Sequence, residues 1–178
     1  WALRVRITSL PTTLPDTASY PRPLQEKVPV LVGGGGERRT LRLAAQHADA
    51  ANVQGDLATV TRKVAVLRSH LDAVGRPYDE VRMTHLAPTL VGDDDGDVDA
   101  RLRAFSTPER PLDGLRAELQ AGTVDEQIGR FRALAEAGVG TAVVSLRDLD
   151  VEAVQRFGSV IAAFSGGAPR PGDERLAF

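Results

Sequence analysis

Four consecutive glycines, Gly33 to Gly36, separate an apolar run, Val28-Pro-Val-Leu-Val32, from a segment whose apolar residues Leu41, Ala44, Ala45 and Ala48 fall at helical spacing. The run reads as a buried strand, with Pro29 near its start, where a missing N–H is tolerated. The helix is expected over Glu37 to Ala48. Glycines let the backbone adopt positive φ and let a ligand come close to the main chain. A helix N-terminus behind them offers free N–H groups and a partial positive charge. Arg38 and Arg39 can add bidentate contacts to a phosphate, and Thr40 a hydroxyl. The junction reads as an anion-binding turn for a phosphate-bearing ligand; a tight turn beside a solvated basic patch is the plainer alternative.

Spacing narrows this reading. No Gly-Lys-[Ser/Thr] follows, so the turn is not a Walker loop. In a dinucleotide fingerprint starting at Gly33 or Gly34, the third glycine would fall on Arg38 or Arg39.

The rest of the chain alternates in type. Ala50 to Val53 is a second short strand. Leu57, Val60, Val64, Leu67, Leu71 and Val74 form the strongest amphipathic helix, stopped by Gly75 and Pro77. Val81 to Val91 is a third strand, and the acidic stretch Gly92 to Asp97 reads as a turn. Residues 98–120 read as irregular helix broken at Pro108 and Pro111. Thr123 and Glu126 form a capping box opening a helix that stops at Gly138. Thr141 to Leu146 is a fourth strand, and Asp150 caps a last helix. The order β-α-β-α-β-α-β-α predicts parallel strands with right-handed crossovers. Four such units make a small open sheet or half of an eight-stranded barrel; a full barrel takes ~250 residues, and this chain has 178. Residues 1–27, rich in proline, read as an irregular lead-in, 28–164 as the half barrel, and 165–178 as a flexible tail.

Other candidate residues follow from place. Asn52 ends the second strand, where ligands bind in parallel α/β proteins; turn formation is the alternative. Thr84 and His85 lie in the third strand, and one or the other faces a substrate if that strand lines a barrel; the other reading is a hydrogen-bonded histidine in or near the core. His47 and His70 read as structural or exposed. The acidic run fails the EF-hand pattern, because Val98 stands where glycine is required. Ser145 ends a strand but sits in no nucleophile elbow. No catalytic acid or base can be assigned, and no metal site. The chain has no cysteine, which excludes disulfides and cysteine-ligated metals. Its net charge of -2 carries no basic footprint for nucleic acid. No apolar run nears the ~18 residues of a membrane helix, and no signal core opens the chain. A cytoplasmic protein is the expectation. A first residue of Trp suggests a processed product or a fragment.

Pro21-Arg-Pro-Leu-Gln25, then Val28 through Ala45 with Gly-Gly-Gly-Gly-Glu-Arg-Arg-Thr at its centre, then Ala48-Asp-Ala-Ala-Asn52, resemble the bacterial luciferase-like monooxygenase superfamily, and more narrowly its branch using the deazaflavin coenzyme F420. Gly122-Thr-Val-Asp-Glu-Gln127 and Ala137 to Val144 add to the resemblance, which covers about residues 20–164 and corresponds to the C-terminal half. It implies α/β architecture, with parallel (β/α) units equivalent to strands five to eight of a TIM (β/α)8 barrel, the barrel being incomplete. It implies F420, or alternatively FMN, at the C-terminal ends of the strands, with the phosphate held by the loop Gly33, Gly34, Gly35, Gly36, Glu37 and Arg38. Thr40 and Asn52 join this set from the residue reading above, with Thr84 and His85 on the substrate side. The implied chemistry is hydride transfer at the flavin or deazaflavin ring, or oxygen activation by reduced FMN, on a small-molecule substrate. The implied partner is a second copy or the missing N-terminal barrel half. Two alternatives stay open: a non-catalytic half-barrel module keeping only the phosphate turn, and an unrelated small α/β phosphate-binding enzyme.

Overall fold

The computed structural model describes residues 24–148 and 150–166. Most of the expected lead-in, the segment Pro21 to Pro23 of the family-like block, and the tail beyond Gly166 lie outside the described residues.

The first units are β1 (Leu31–Gly33), α1 (Thr40–His47), β2 (Ala50–Val53) and α2 (Leu57–Ala73). There follow β3 (Arg82–Thr89), β4 (Val91–Gly92), α3 (Asp95–Arg103), α4 (Leu112–Glu118) and β5 (Gly122–Thr123). The last are α5 (Val124–Glu136), β6 (Thr141–Leu146) and α6 (Val151–Ala162). Strands β1, β2, β3 and β6 form one sheet in that order, every pair parallel. The parallel strands expected from the β-α alternation are thus present. β4 and β5 form a separate two-stranded parallel ladder.

Helices cover one face of the main sheet. Leu41, Ala44 and Ala45 of α1, Val60, Val64, Leu67 and Leu71 of α2, and Leu134 of α5 close over Ala51, Val53 and Met83 in a single core. Strand side chains alternate between faces. The register therefore puts Gly33, Asn52, Thr84 and Thr141 in one row on the opposite face, with Val53, His85 and Ala142 in the next row toward the helices. A second core of Leu90, Val98, Leu102, Leu115, Leu119 and Ala121 sits beneath the β4–β5 ladder.

Two local expectations need correcting. The first strand is Leu31–Gly33, not Val28–Val32, and it is not buried: Leu31 is 50% exposed. It is an edge strand. Pro29 brings no N–H, and the Val30 N–H donates to the Asp49 carboxylate at 2.8 Å rather than to a strand. The acidic stretch is not a simple turn. Asp94 accepts from the Asp97 N–H at 2.9 Å and caps α3, which therefore starts at Asp95. Residues 98–120 are helical with a break that spans Pro108 and Pro111, as expected, α3 and α4 lying on either side and the short strand β5 following. The capping box at Thr123 and the Asp150 cap are as expected.

The acidic stretch also ties this insert to the sheet. Arg101 donates to Asp97 at 3.0 Å, Asp148 at 2.8 Å and Asp150 at 3.2 Å, joining α3 to the loop between β6 and α6. Burial works against the Asp97 anion, but the Asp93 N–H and Arg101 outweigh it and hold this carboxyl below its ordinary range. A depressed carboxyl stabilises the fold above its unfolded pKa, and that contribution is lost as pH falls through the lower folded value. Asp97→Asn is therefore expected to cost about 1 kcal/mol at pH 7, with the gap to the parent narrowing below pH ~4. Urea melts of both chains at several pH values check this; a gap that stays constant into acid contradicts it.

Candidate functional site

The C-terminal ends of β1 and β2 lie side by side, and the glycine loop leaves the sheet there. The Gly34 N–H donates to the Asn52 carbonyl at 3.0 Å, pinning the loop to the end of β2. Gly34 has φ +128°, a conformation an L side chain rarely adopts. The loop enters α1 through Arg39, whose side chain makes no cap, so the first-turn N–H groups are not capped by that residue. Gly33, Gly34, Gly35 and Asn52 line a cavity of about 400 Å³ together with Gln54, Lys63 and Leu86.

Lys63 was not among the residues singled out in the sequence. It comes from the second turn of α2, and its ammonium donates to the Gln54 carbonyl at 3.1 Å. A methyl group at Gly35 would overlap that ammonium, so glycine at this position is what admits the cation. An ammonium has three N–H donors, and the bond to Gln54 uses one. Glycine backbone, an amide side chain and a cation in one concavity at the strand ends make a donor set of the kind that suits an anion. Nothing local in the sequence announces Lys63; the only signal is its place one turn into the helix that follows the second strand.

The expected residues sort into those the fold brings to this cavity and those it does not. Gly33, Gly34, Gly35 and Asn52 line it. Gly36 and Thr40 pack on each other behind the loop, where a Cβ on Gly36 would lie 2.8 Å from the Thr40 hydroxyl. Glu37 is turned toward α2: its carboxylate pairs with Arg62, and its carbonyl accepts from His70 Nε2 at 2.8 Å. Arg38 and Arg39 are exposed and outside the lining. Thr84 shares the row of Gly33 and Asn52, is almost fully buried, and its hydroxyl is 3.5 Å from the Ala51 carbonyl. His85 falls on the helix side. It is 1% exposed, and Nε2 donates to the Gly55 carbonyl at 2.9 Å.

A larger cavity, of about 820 Å³, adjoins the first and shares Gln54 and Leu86 with it. It is lined by the ends of β3 and β6, the loop before α2, the end of α4 and one face of α5. Sequence reasoning missed its main polar residues, Arg116, Arg130 and Arg147, because they come from separate elements. Among the described residues no group of three or more His, Asp or Glu side chains is placed to hold a metal ion, and no helix is long and apolar enough to cross a membrane.

Residues 8–145 match the family model described as luciferase-like monooxygenase. No curated protein matches the sequence. Solved structures do. An F420-dependent secondary alcohol dehydrogenase, solved with an F420-acetone adduct, superposes with a TM-score of 0.68 at 19% identity, over 90% of this chain and 56% of that one. A coenzyme F420 dependent tetrahydromethanopterin reductase from Methanopyrus kandleri gives 0.58 at 16% identity, over 75% and 49%. A riboflavin lyase, solved with modified FMN and the substrate riboflavin, gives 0.66 at 12% identity, over 98% and 53%. The chain thus spans about half the length of these structures, and at such identities they establish the shared fold.

Two glycine substitutions separate conformation from space. Gly34→Ala is expected to cost about 1–2 kcal/mol, because its φ is strained for alanine. Gly35→Ala, which only pushes aside the end of a flexible lysine, is expected to stay within about 0.5 kcal/mol of the parent. Urea melts of both variants check the contrast; equal costs contradict it.

Proposed function

The chain belongs to the luciferase-like monooxygenase family, and from that premise we propose that its glycine cradle holds the phosphate of coenzyme F420, with FMN as the alternative. The observation that carries this is the cavity lined by Gly33, Gly34, Gly35, Asn52 and Lys63 at the ends of parallel strands. The donor set suits the group: backbone N–H beside unbranched residues, a side-chain amide, and an ammonium fixed by one carbonyl. Bound there, the cofactor supplies hydride transfer at its ring to or from a small-molecule substrate. The chain's own residues do the holding. Lys63 would neutralise phosphate charge and the glycine loop would wrap it, while Asn52 and Thr84 stand in one row on the adjoining sheet face. Gly36, Thr40 and Glu37 support the loop from behind in this reading, Glu37 through Arg62 and His70, while Arg38 lies exposed outside it.

The complete site needs more sheet than this. β1 and β6 stand at the two edges of the four-stranded sheet, and Leu31 and Val143 on them are exposed. Unpaired strand edges invite further strands. Four more βα units, from a preceding half barrel or a second copy, would close the barrel and complete the ring-binding wall. A module that binds the cofactor without turnover is the second reading, favoured by these same open edges.

Fluorescence titration with F420 and with FMN tests the proposal. The parent is expected to quench or shift at least one of them, and Lys63→Ala to weaken that binding about tenfold or more. No response to either cofactor, or equal binding by the variant, contradicts it. Cofactor bound without hydride transfer, even with the other barrel half supplied, favours the module.

A further inference from the structure

The larger cavity carries unmatched polarity. Two buried side-chain atoms in its wall have no hydrogen-bond partner: His85 Nδ1 and Arg116 Nε. The state of His85 follows from its other nitrogen. Nε2 faces the Gly55 carbonyl at 2.9 Å, and a carbonyl only accepts, so the proton is on Nε2. In the neutral ring Nδ1 is then a bare acceptor, inside a wall where an unpaired polar group costs stability. Arg116 is already bound to Asp95 at 2.7 Å through Nη2, which leaves its Nε–H as an unmatched donor.

The cavity is also short of negative charge. Its two carboxylates are engaged: Asp56 caps α2 through the Thr59 N–H, and Glu118 pairs with Arg110 at 2.7 Å and also feels the charge of Arg147. Arg130 has neutral hydrogen-bond partners. Its Nη1 donates to the Gln127 Oε1 at 2.6 Å and to the Gln120 carbonyl. That carbonyl is presented by a non-glycine residue at φ +43°, a strained conformation that fixes where Arg130 lies. Gln127, fully buried, holds the same carbonyl at 2.7 Å. The charge of Glu126 acts on Arg130, but its carboxylate is taken up by the Thr123 N–H at 2.8 Å. Arg147 is exposed at the end of β6 and adds a second cation. Leu57, Leu86, Pro88 and Leu134 supply apolar wall.

We propose that this cavity binds a small hydroxy acid with an apolar body, its carboxylate on Arg130 and Arg147 and its hydroxyl donating to His85 Nδ1. Arg116 Nε donates to the same ligand. The volume is within the range of small-molecule sites. Sharing Gln54 and Leu86 with the glycine–lysine cradle places the acid beside whatever that cradle holds. The binding itself requires no cofactor; only naming the acid as the substrate class rests on the oxidoreductase reading.

NMR titration of the isotope-labelled chain with mandelate tests it, with mandelamide lacking the charge and phenylacetate lacking the hydroxyl. Mandelate is expected to shift the amides of Ser145 and Arg147 and the His85 Nδ1 resonance. Phenylacetate is expected to shift the amides but not Nδ1. Mandelamide is expected to bind about tenfold more weakly or worse. Arg147→Gln, an exposed position that leaves the core intact, is expected to weaken mandelate about tenfold while leaving mandelamide unchanged. Equal binding of mandelate and mandelamide, an unmoved Nδ1, an unaffected Arg147→Gln, or no cavity shifts at all overturns the proposal. Failure of F420 and FMN to bind leaves these outcomes unaltered, so the two readings fail separately.

Discussion

Everything at the site depends on the parallel register of the four-stranded sheet. Because Gly33 pairs with Asn52 and Asn52 with Thr84, β1 and β2 end at one level beside the first half of β3 and deliver their loops to one side. An antiparallel pairing of the same segments would send alternate loops to opposite ends and disperse the cradle. The cost of that register is non-local: each pairing spans an intervening helix, so the helix core must form for the strand ends to meet. The alanines of α1 serve this purpose. Ala44, Ala45 and Ala48 are fully buried and small enough to bring the helix close against α2 and the sheet.

Within that frame the glycine run has a more specific purpose than flexibility. At Gly34 the backbone itself requires glycine. At Gly35 the requirement is space, since the site is where the Lys63 ammonium lies. A cation beside a main chain free of side chains can give an anion both charge and close backbone donors. The arginines that follow the glycines, the more obvious cations in the sequence, lie exposed, and the cation at the loop comes from the next unit along the chain.

The sequence made plain what depends on local pattern. The capping box at Thr123, the amphipathic spacing of α2 and the short apolar strands each carry their signal within a few residues. It misplaced what is decided by a distant partner. Val28 to Val30 have strand composition, yet Asp49 takes the Val30 N–H and pairing starts only at Leu31. The acidic stretch hid a helix start, because a run of aspartates reads as a loop until one is seen to cap another. β4 and β5, two residues each, have no period to detect. For the site, the glycine loop and Asn52 were legible as a junction at a strand end. Lys63, Gln127 and Arg130 were not, since their roles exist only once loops from separate units meet. His85 stood on an alternation that a one-residue shift in register would invert; its row puts it toward the helices, with Nδ1 still unmatched.

The most direct test of the central claim is to watch the cradle's own backbone. The nitrogen-15 labelled chain is titrated with F420, and separately with FMN, while amide and lysine side-chain resonances are followed. The account predicts that the amides of Gly34, Gly35 and Thr40 and the Lys63 ammonium move together along one saturating curve, with α3 and α4 unmoved. Shifts that avoid the glycine loop, or that leave the Lys63 ammonium where it was, would contradict it.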